Sequence, residues 1–488
     1  MSIATSEQSV VDSVNKQLFI GGEWRDASGG DTLAVEDPST GNPLCEVADG
    51  TPEDAVSALD AAGGMQGEWA KTAPRERGEI LRRAFEKIVA RTDELALLMT
   101  LEMGKALAES KAEIAYAAEF FRWFSEEAVR IEGRYAIPPA GTGRMLTMKQ
   151  PVGPCIFITP WNFPMAMGTR KIGPAIAAGC TMVMKPAKQT PLSMLALASI
   201  LEESGLPDGV LNVVTSSSSG SLMAPLISDP RARKLSFTGS TEVGRKLIEQ
   251  SAEQILRVSM ELGGNAPFLI FDDADVDDAV EGAIVAKMRN VGEACTAANR
   301  FHVADSVAGE FAEKLAARMD AMKVGRGTEE GVEVGPLIDD DQRGKVEDLV
   351  EDALDKGARA LVGAEKMEGS GYFYRPTVLD GVPRDATLLK EEIFGPVAPV
   401  ASFDSEEDAI AAANDTEFGL VAYVYTSDLK RALRVCEGLE TGMVGLNQGM
   451  VSNASAPFGG IKHSGFGREG GAEGIEEYLE TKYVAINL

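Results

Sequence analysis

Short β-rich runs separated by helix-length spacers dominate the chain from Pro151 onward, and this rhythm limits the fold more than any other feature. The runs are Cys155–Thr159, Thr181–Lys185, Leu211–Val214, Lys234–Phe237 and Val258–Glu261. Between them the spacing predicts helices over Met165–Ala178, Leu192–Glu203, Met223–Ile227 and Glu242–Ala252, the first two stopped by Gly179 and Gly205. Apolar runs alternating with helices describe βαβ units and a parallel sheet. A second series follows from Arg300, with runs at Phe301–Val303, Ala360–Val362, Val397–Phe403, Val421–Tyr425 and Met443–Leu446 and helices near Val307–Met322 and Gln342–Ala358. Two α/β lobes are therefore expected, and 488 residues are enough for two or three.

Outside these series the patterns differ. Residues 1–130 read as helical after a short β start at Leu18–Trp24, and Thr51-Pro52-Glu53-Asp54 is a helix-start signature. Arg134–Gln150 reads as an extended excursion bounded by Pro138, Pro139 and Gly141. Acid-rich Asp272–Asp278 and Asp339–Asp341 read as solvated helix starts, because the first lacks the Gly and terminal Glu of a calcium loop.

Composition removes several classes of function. Asp and Glu number 75 against 47 Lys and Arg, a net charge of −28, which repels phosphate backbones and argues against nucleic-acid binding. Five scattered cysteines without C-x-x-C spacing fit neither a disulfide framework nor a zinc site and suit a reducing cytoplasm. With only His302 and His463, a histidine metal centre or Ser-His-Asp triad lacks its parts, so no metal is expected. Met1–Leu18 lacks the basic start and apolar core of a secretory leader, and no stretch has the apolar length of a membrane span.

Four segments carry the chemistry. Gly292-Glu293-Ala294-Cys295 alone is no more than a core thiol after a small-residue turn. Pro160-Trp161-Asn162-Phe163-Pro164 ends a buried strand, where α/β sheets bind ligands, and its Asn amide can donate to a developing oxyanion. Glu261-Leu262-Gly263-Gly264-Asn265 closes another strand with a carboxylate suited to a general base, although a cap or ion pair reads equally well in isolation. Glu391-Glu392-Ile393-Phe394-Gly395-Pro396 sets a carboxylate two residues from an aromatic, fit for a ribose hydroxyl and a ring face.

Taken together, these segments resemble the aldehyde dehydrogenase superfamily from about Leu18 to the C-terminus. Within it, Met148–Gly153, Arg170-Lys171, Phe237–Thr241, Glu261–Pro267 and Ala456–Lys462 are most similar to the succinate-semialdehyde dehydrogenase branch. The resemblance implies two Rossmann-like parallel-sheet lobes plus a small β arm. It gives a cofactor domain of 1–133 and 151–260 and a catalytic domain of 261–446. An oligomerisation arm of 134–150 and 467–488 and a connecting substrate loop of 447–466 complete it. The arm implies a homodimer or homotetramer, and terminal unpaired strands favour association physically as well.

By the same resemblance Cys295 is the nucleophile, Glu261 the base that activates water, and Asn162 with the Cys295 N–H the oxyanion hole. A thiolate adds to the aldehyde, the alkoxide collapses by hydride transfer to nicotinamide, and water cleaves the thioester. The implied cofactor residues are Thr159, Pro160, Trp161, Lys185, Ala187, Lys188, Phe237, Thr238, Gly239, Ser240, Val243, Leu262, Glu392 and Phe394. The Phe237–Gly244 segment opens a helix whose N-terminus can hold pyrophosphate. NAD-preferring members carry Glu where this chain has Lys188, so NADP is expected before NAD; the alternative is a solvated surface lysine. Ser216 stands where the family favours Gly, which leaves the shape of that loop open.

For the substrate, Phe163, Met167 and Arg170 follow helical spacing, and Arg289 lies six residues before Cys295. The resemblance implies that Arg170, Arg289 and Ser452 hold the distal carboxylate of a small anionic aldehyde, with Phe163 beside them. In so acidic a protein an anion needs locally placed guanidinium groups, but each arginine alone also reads as a structural ion pair. Succinate semialdehyde is expected, with glutarate or 2-oxoglutarate semialdehyde or an aliphatic aldehyde as alternatives. Ala297 replaces the second cysteine of members with a redox switch, so none is expected here. A cysteine hydrolase would want a histidine base, and neither His302 nor His463 lies in a segment suited to it. A silent scaffold could lose Cys295 or Glu261, and both are present.

Overall fold

Strand Cys155–Ile158 is buried along its whole length, as are Met182–Lys185 and Lys234–Thr238, which requires a sheet covered on both faces. The computed structural model describes residues 5–488 and builds that sheet. Its order is Glu23–Arg25, Leu18–Ile20, Leu211–Val213, Met182–Lys185, Cys155–Ile158, Lys234–Thr238, Arg257–Glu261 and Gly465–Phe466. The five central strands are parallel. Strands following Cys155–Ile158 step outward on one side, and the chain then returns to lay Lys234–Thr238 on the other. The strand order therefore reverses between these two, and their carboxyl ends open a crevice where α/β sheets bind ligands.

The second lobe is a seven-stranded sheet ordered Arg359–Val362, Thr377–Asp380, Val397–Phe403, Ala298–Ala304, Ala266–Ile270, Val421–Tyr425 and Met443–Leu446. It is parallel except at its first pair. Only Leu262–Asn265 separates the last parallel strand of the first sheet from Ala266–Ile270 of the second. A three-stranded antiparallel arm joins Leu479–Ile486 to Arg144–Pro151 and that strand to Arg134–Ala136.

The helices start where their caps dictate. Thr51 and Asp54 form a reciprocal capping box for Pro52–Trp69. Asp275 and Asp339 cap Val276–Met288 and Asp340–Asp355 through backbone N–H groups. Three features depart from the sequence reading. The N-terminal region holds a hairpin, Thr32–Asp37 with Asn42–Ala48, in which Leu33 and Val35 point inward by strand alternation. The helix of Met223–Ile227 begins earlier, at Ser219. Phe163 lies in the turn before helix Ala166–Ala178, although its carbonyl accepts Met167 N–H at 3.0 Å and so continues the helical path. The first four residues of the segment inspected for a leader lie outside the described residues. Among the described residues no helix is long and apolar enough to cross a membrane.

Candidate active site

At the crevice between strand ends, a cleft of about 220 Å³ is lined by Pro160, Trp161, Asn162, Met167, Thr238, Gly239, Ser240, Leu262, Gly263, Cys295, Gln342, Lys345, Glu392 and Phe394. Both lobes contribute, so a ligand here would touch the two sheets at once. Two glycines shape it. Gly292, at φ +79°, has no room for a Cβ, which would lie 2.2 Å from the Gly395 carbonyl oxygen. A Cβ on Gly264 would lie 2.6 Å from the Cys295 carbonyl oxygen. The Cys295 segment is thus seated directly on the connection between lobes.

Cys295 is half-buried. Burial pushes its thiol up to about 12, Arg170 and Arg289 pull it back, and Glu392 and Glu261 oppose them. Among the described residues no backbone carbonyl accepts the Cys295 N–H. The Asn162 side-chain amide donates to the Glu293 carbonyl at 2.9 Å, leaving its second N–H uncommitted.

Glu261 ends its strand 4% exposed, with Oε2 unpartnered. Burial raises its carboxyl well above the usual range, the facing Glu469 raises it further, and Arg170 and Lys171 oppose both. Glu469 itself is pushed up by burial yet held below its ordinary value by Lys171 and Arg170. Lys171 Nζ donates to Glu469 Oε1 at 2.5 Å, and Arg170 Nε lies 2.5 Å from Oε2. All three are almost fully buried, so each cation depends on that carboxylate to offset its desolvation.

The sequence reading placed Arg170 against substrate; the structure adds Glu469 as an internal partner. One edge of the guanidinium is unpaired, because Nη2 is buried without a partner. The group stacks over Phe458 at 4.0 Å. Arg289 donates to Ser452 Oγ at 3.1 Å and lies over Phe163 at 4.7 Å. Tyr116, which the sequence reading did not single out, joins them: Arg289 lies 5.7 Å over its ring, and its hydroxyl, buried without a hydrogen-bond partner, is pushed up by burial while Arg170 and Arg289 oppose that shift. A tyrosine on a long helix gives no sequence signal of such a role. Two openings border this cluster, about 340 Å³ lined by Phe163, Arg289 and Met450 and about 430 Å³ lined by Tyr116 and Ser452; Arg170 lines neither.

The remaining cofactor candidates line the same strand ends. Ser240 caps helix Thr241–Ser251 by accepting Val243 N–H, and Val243 is partly exposed. Thr159, Ala187, Phe237 and Leu262 are buried. Lys185 Nζ donates to Ser219 Oγ at 2.5 Å; burial and the neighbouring Lys188 push it down to about 8, and Asp49 opposes them. Lys188 itself is exposed. Glu392 accepts Gly264 N–H at 3.0 Å and is raised by burial to about 7. Phe394, at φ +55°, meets Trp161 edge to face at 5.5 Å. Lys188 and Val243 thus stand outside the cleft wall, whereas Glu392, Phe394, Trp161 and Thr238 form it.

A cleft shared by two Rossmann-like sheets, lined by the Cys295 thiol and the buried Glu392 carboxyl, fits a nucleotide-dependent oxidoreductase. The chain belongs to the aldehyde dehydrogenase family, whose model matches residues 24–484. It is 59% identical to a succinate-semialdehyde dehydrogenase of Paenarthrobacter nicotinovorans, over 91% of this chain and 98% of the relative. It is 52% identical to a glutarate-semialdehyde dehydrogenase of Pseudomonas putida, over 97% of this chain and 98% of that one. A solved structure described as an E. coli NADP dependent enzyme superposes with a TM-score of 0.97, at 52% identity, covering 98% of this chain and 99% of its own.

Proposed function

We propose that the protein oxidises succinate semialdehyde to succinate with NADP, through a thioester on Cys295. The observation that carries the substrate is the pair of guanidinium groups beside the thiol. Arg170 offers a buried, unpartnered Nη2, and Arg289 is already hydrogen-bonded to Ser452. A small carboxylate would satisfy the first and share the second, whereas a neutral chain would leave Nη2 unpaired at a cost of about 1–3 kcal/mol.

The residues present fit NADP. Thr238 Oγ1 is buried without a partner beside the cleft, and Glu392 offers an acceptor for ribose. Lys188 adds to the burial that disfavours the charge on Lys185, so a 2′-phosphate beside them would restore that charge. The helix start at Ser240–Val243 would take the pyrophosphate. Bound there, NADP would supply the hydride acceptor.

The chain's own groups then divide the work. Cys295 must lose its proton before it adds to the aldehyde, and the charge of Arg170 and Arg289 favours the thiolate. The uncommitted Asn162 N–H and the Cys295 N–H stabilise the alkoxide. Glu261, once ionised, takes a proton from water as it attacks the thioester.

The cofactor domain (1–133 with 151–260), catalytic domain (261–446), arm (134–150 with 467–488) and substrate loop (447–466) are read as four functional units. Arm residues Tyr135, Ile137 and Tyr483 are 59–64% exposed, and the Met443–Leu446 edge lies open near exposed Leu429 and Leu433. These surfaces support a homodimer or homotetramer; a monomer by sedimentation at micromolar concentration contradicts it. Five free cysteines support a cytoplasmic setting.

The test is NADP reduction with succinate semialdehyde, its one-methylene-longer glutarate homologue and butanal, in wild type and Cys295→Ala. Preference for succinate semialdehyde, lost in Cys295→Ala, is the expected result. Faster turnover of glutarate semialdehyde shifts the substrate, and equal turnover of butanal removes the carboxylate argument.

A further inference from the structure

Behind the oxyanion side of the cleft, helix Leu107–Glu127 and the residues leading into it turn three ionisable side chains inward. They are Lys105, Glu109 and Glu113, spaced four residues apart; none lines the cleft at Cys295, but all three border the opening beside Phe163 and Arg289, where Lys105 Nζ lies 4.3 Å over the Phe163 ring. Lys105 is 1% exposed and Glu113 is 2% exposed. Lys105 Nζ donates to Glu113 Oε2 at 2.6 Å and to the Asn162 main-chain carbonyl at 2.7 Å. The other Glu113 oxygen accepts the Met165 and Ala166 N–H groups, both at 3.1 Å, and so caps helix Ala166–Ala178 from outside.

Glu109 works on the nucleophile segment. Its Oε1 accepts Asn290 N–H at 2.6 Å, where Asn290 and Val291 hold φ values of +52° and +58°. That left-handed pair is costly for non-glycine residues and persists only when its surroundings fix it. The Asn290 amide then donates to the Asn162 carbonyl at 3.0 Å and to the Glu293 carbonyl at 2.9 Å. The Glu293 carbonyl also receives the Asn162 side chain. The Asn162 main chain is thus clamped by Lys105 and Asn290, and its side chain is aimed by the same carbonyl that orients Asn290.

We propose that Lys105 is a positioning residue that fixes Asn162 relative to the Cys295 segment, with Glu113 holding Lys105 and Glu109 holding the far side of the clamp. The inference rests on the reading of Asn162 as the oxyanion donor. Lys105 holds the Asn162 carbonyl from outside the Cys295 cleft, so its loss should slow the chemical step more than it weakens binding. A misplacement of an ångström in an oxyanion donor is enough for a large loss.

The test uses Lys105→Met in the full chain, and Lys105→Met/Glu113→Gln alongside it. The double variant removes the Lys105–Glu113 ion pair as a unit and keeps an acceptor for the Met165 and Ala166 N–H groups, so it answers the question if the single variant folds poorly. We expect kcat to fall on the order of 10- to 100-fold, with aldehyde KM and NADP Kd changed by less than about threefold. Asn162→Ala alone should lose on the order of 10²- to 10³-fold. Adding Lys105→Met to it should cost almost nothing more, because both act through one donor. An unchanged kcat in both Lys105 variants, or a loss that multiplies fully with that of Asn162→Ala, overturns the proposal while leaving Asn162 in its role. An Asn162→Ala enzyme with undiminished kcat overturns the oxyanion reading and the proposal with it.

Discussion

If Arg289 holds the substrate carboxylate as proposed, replacing it by leucine separates recognition of the substrate's charge from the chemistry. The side chain is half-buried, donates to Ser452 at 3.1 Å and stacks on Phe163 at 4.7 Å. Leucine keeps much of the apolar contact with Phe163 and removes only the cation. A hydrogen bond to a charged group contributes about 1.5–3 kcal/mol, which converts to roughly 10- to 150-fold in kcat/KM. A neutral aldehyde of equal length loses no such bond, so its kcat/KM should stay within about threefold. Because the carboxylate is remote from the reacting carbon, the loss should appear in KM rather than kcat. The assay is initial-rate NADP reduction with succinate semialdehyde and butanal, on protein shown to retain its melting temperature. Equal losses on both substrates would show that Arg289 acts on Cys295 or on the loop, and an unchanged ratio would refute the carboxylate role.

Other outcomes follow from the same geometry. Lys188→Glu places a carboxylate beside Lys185 and should lower the NADP-to-NAD preference by about tenfold, read from kcat/KM for each cofactor, since an exposed charge contributes on the order of 1 kcal/mol; an unchanged preference assigns Lys188 to the solvated surface. Glu261→Gln should leave the first turnover visible as a burst and slow the steady state by on the order of 10²-fold; loss of the burst itself would place Glu261 before the thioester. With the Cys295 thiol pushed up to about 12 by burial, alkylation by iodoacetamide in the apo enzyme should be slow at pH 7 and accelerate as pH rises, because only the thiolate reacts. A rate that levels off below pH 8 would mean that Arg170 and Arg289 outweigh burial.

The sequence showed the framework better than the wiring. Strands such as Cys155–Ile158 were legible because they are apolar throughout, and their boundaries moved by only a residue. The Thr32–Ala48 hairpin escaped because its few inward residues alternate with small and polar ones in a region dominated by helical patterns. The partners of the site were hidden for a different reason. Lys105, Glu109 and Glu113 have the charge and spacing of an ordinary solvated helix face, and only the tertiary fold turns that face inward. Glu469 meets Lys171 across 298 positions of sequence, and nothing local in Gly467–Gly471 announces an ion pair. Buried charge networks are long-range by construction, whereas caps such as Thr51 with Asp54 are local and were read directly.

The arginine and the thiol share one short, stiff segment: Arg289 opens it, left-handed Asn290 and Val291 and the crowded Gly292 bend it, and Cys295 ends it. This links the mutability of specificity to that of reactivity. A substitution that reshapes the segment for a new aldehyde also moves the nucleophile, so divergence by that route should be rare among functional variants. The Ser452 loop lies outside that segment and meets Arg289 through the Ser452 hydroxyl and the Met450 sulfur. Selection for a longer, shorter or differently charged aldehyde would therefore find its tolerant ground there, and laboratory evolution of this scaffold should accumulate its first changes around residues 450–455.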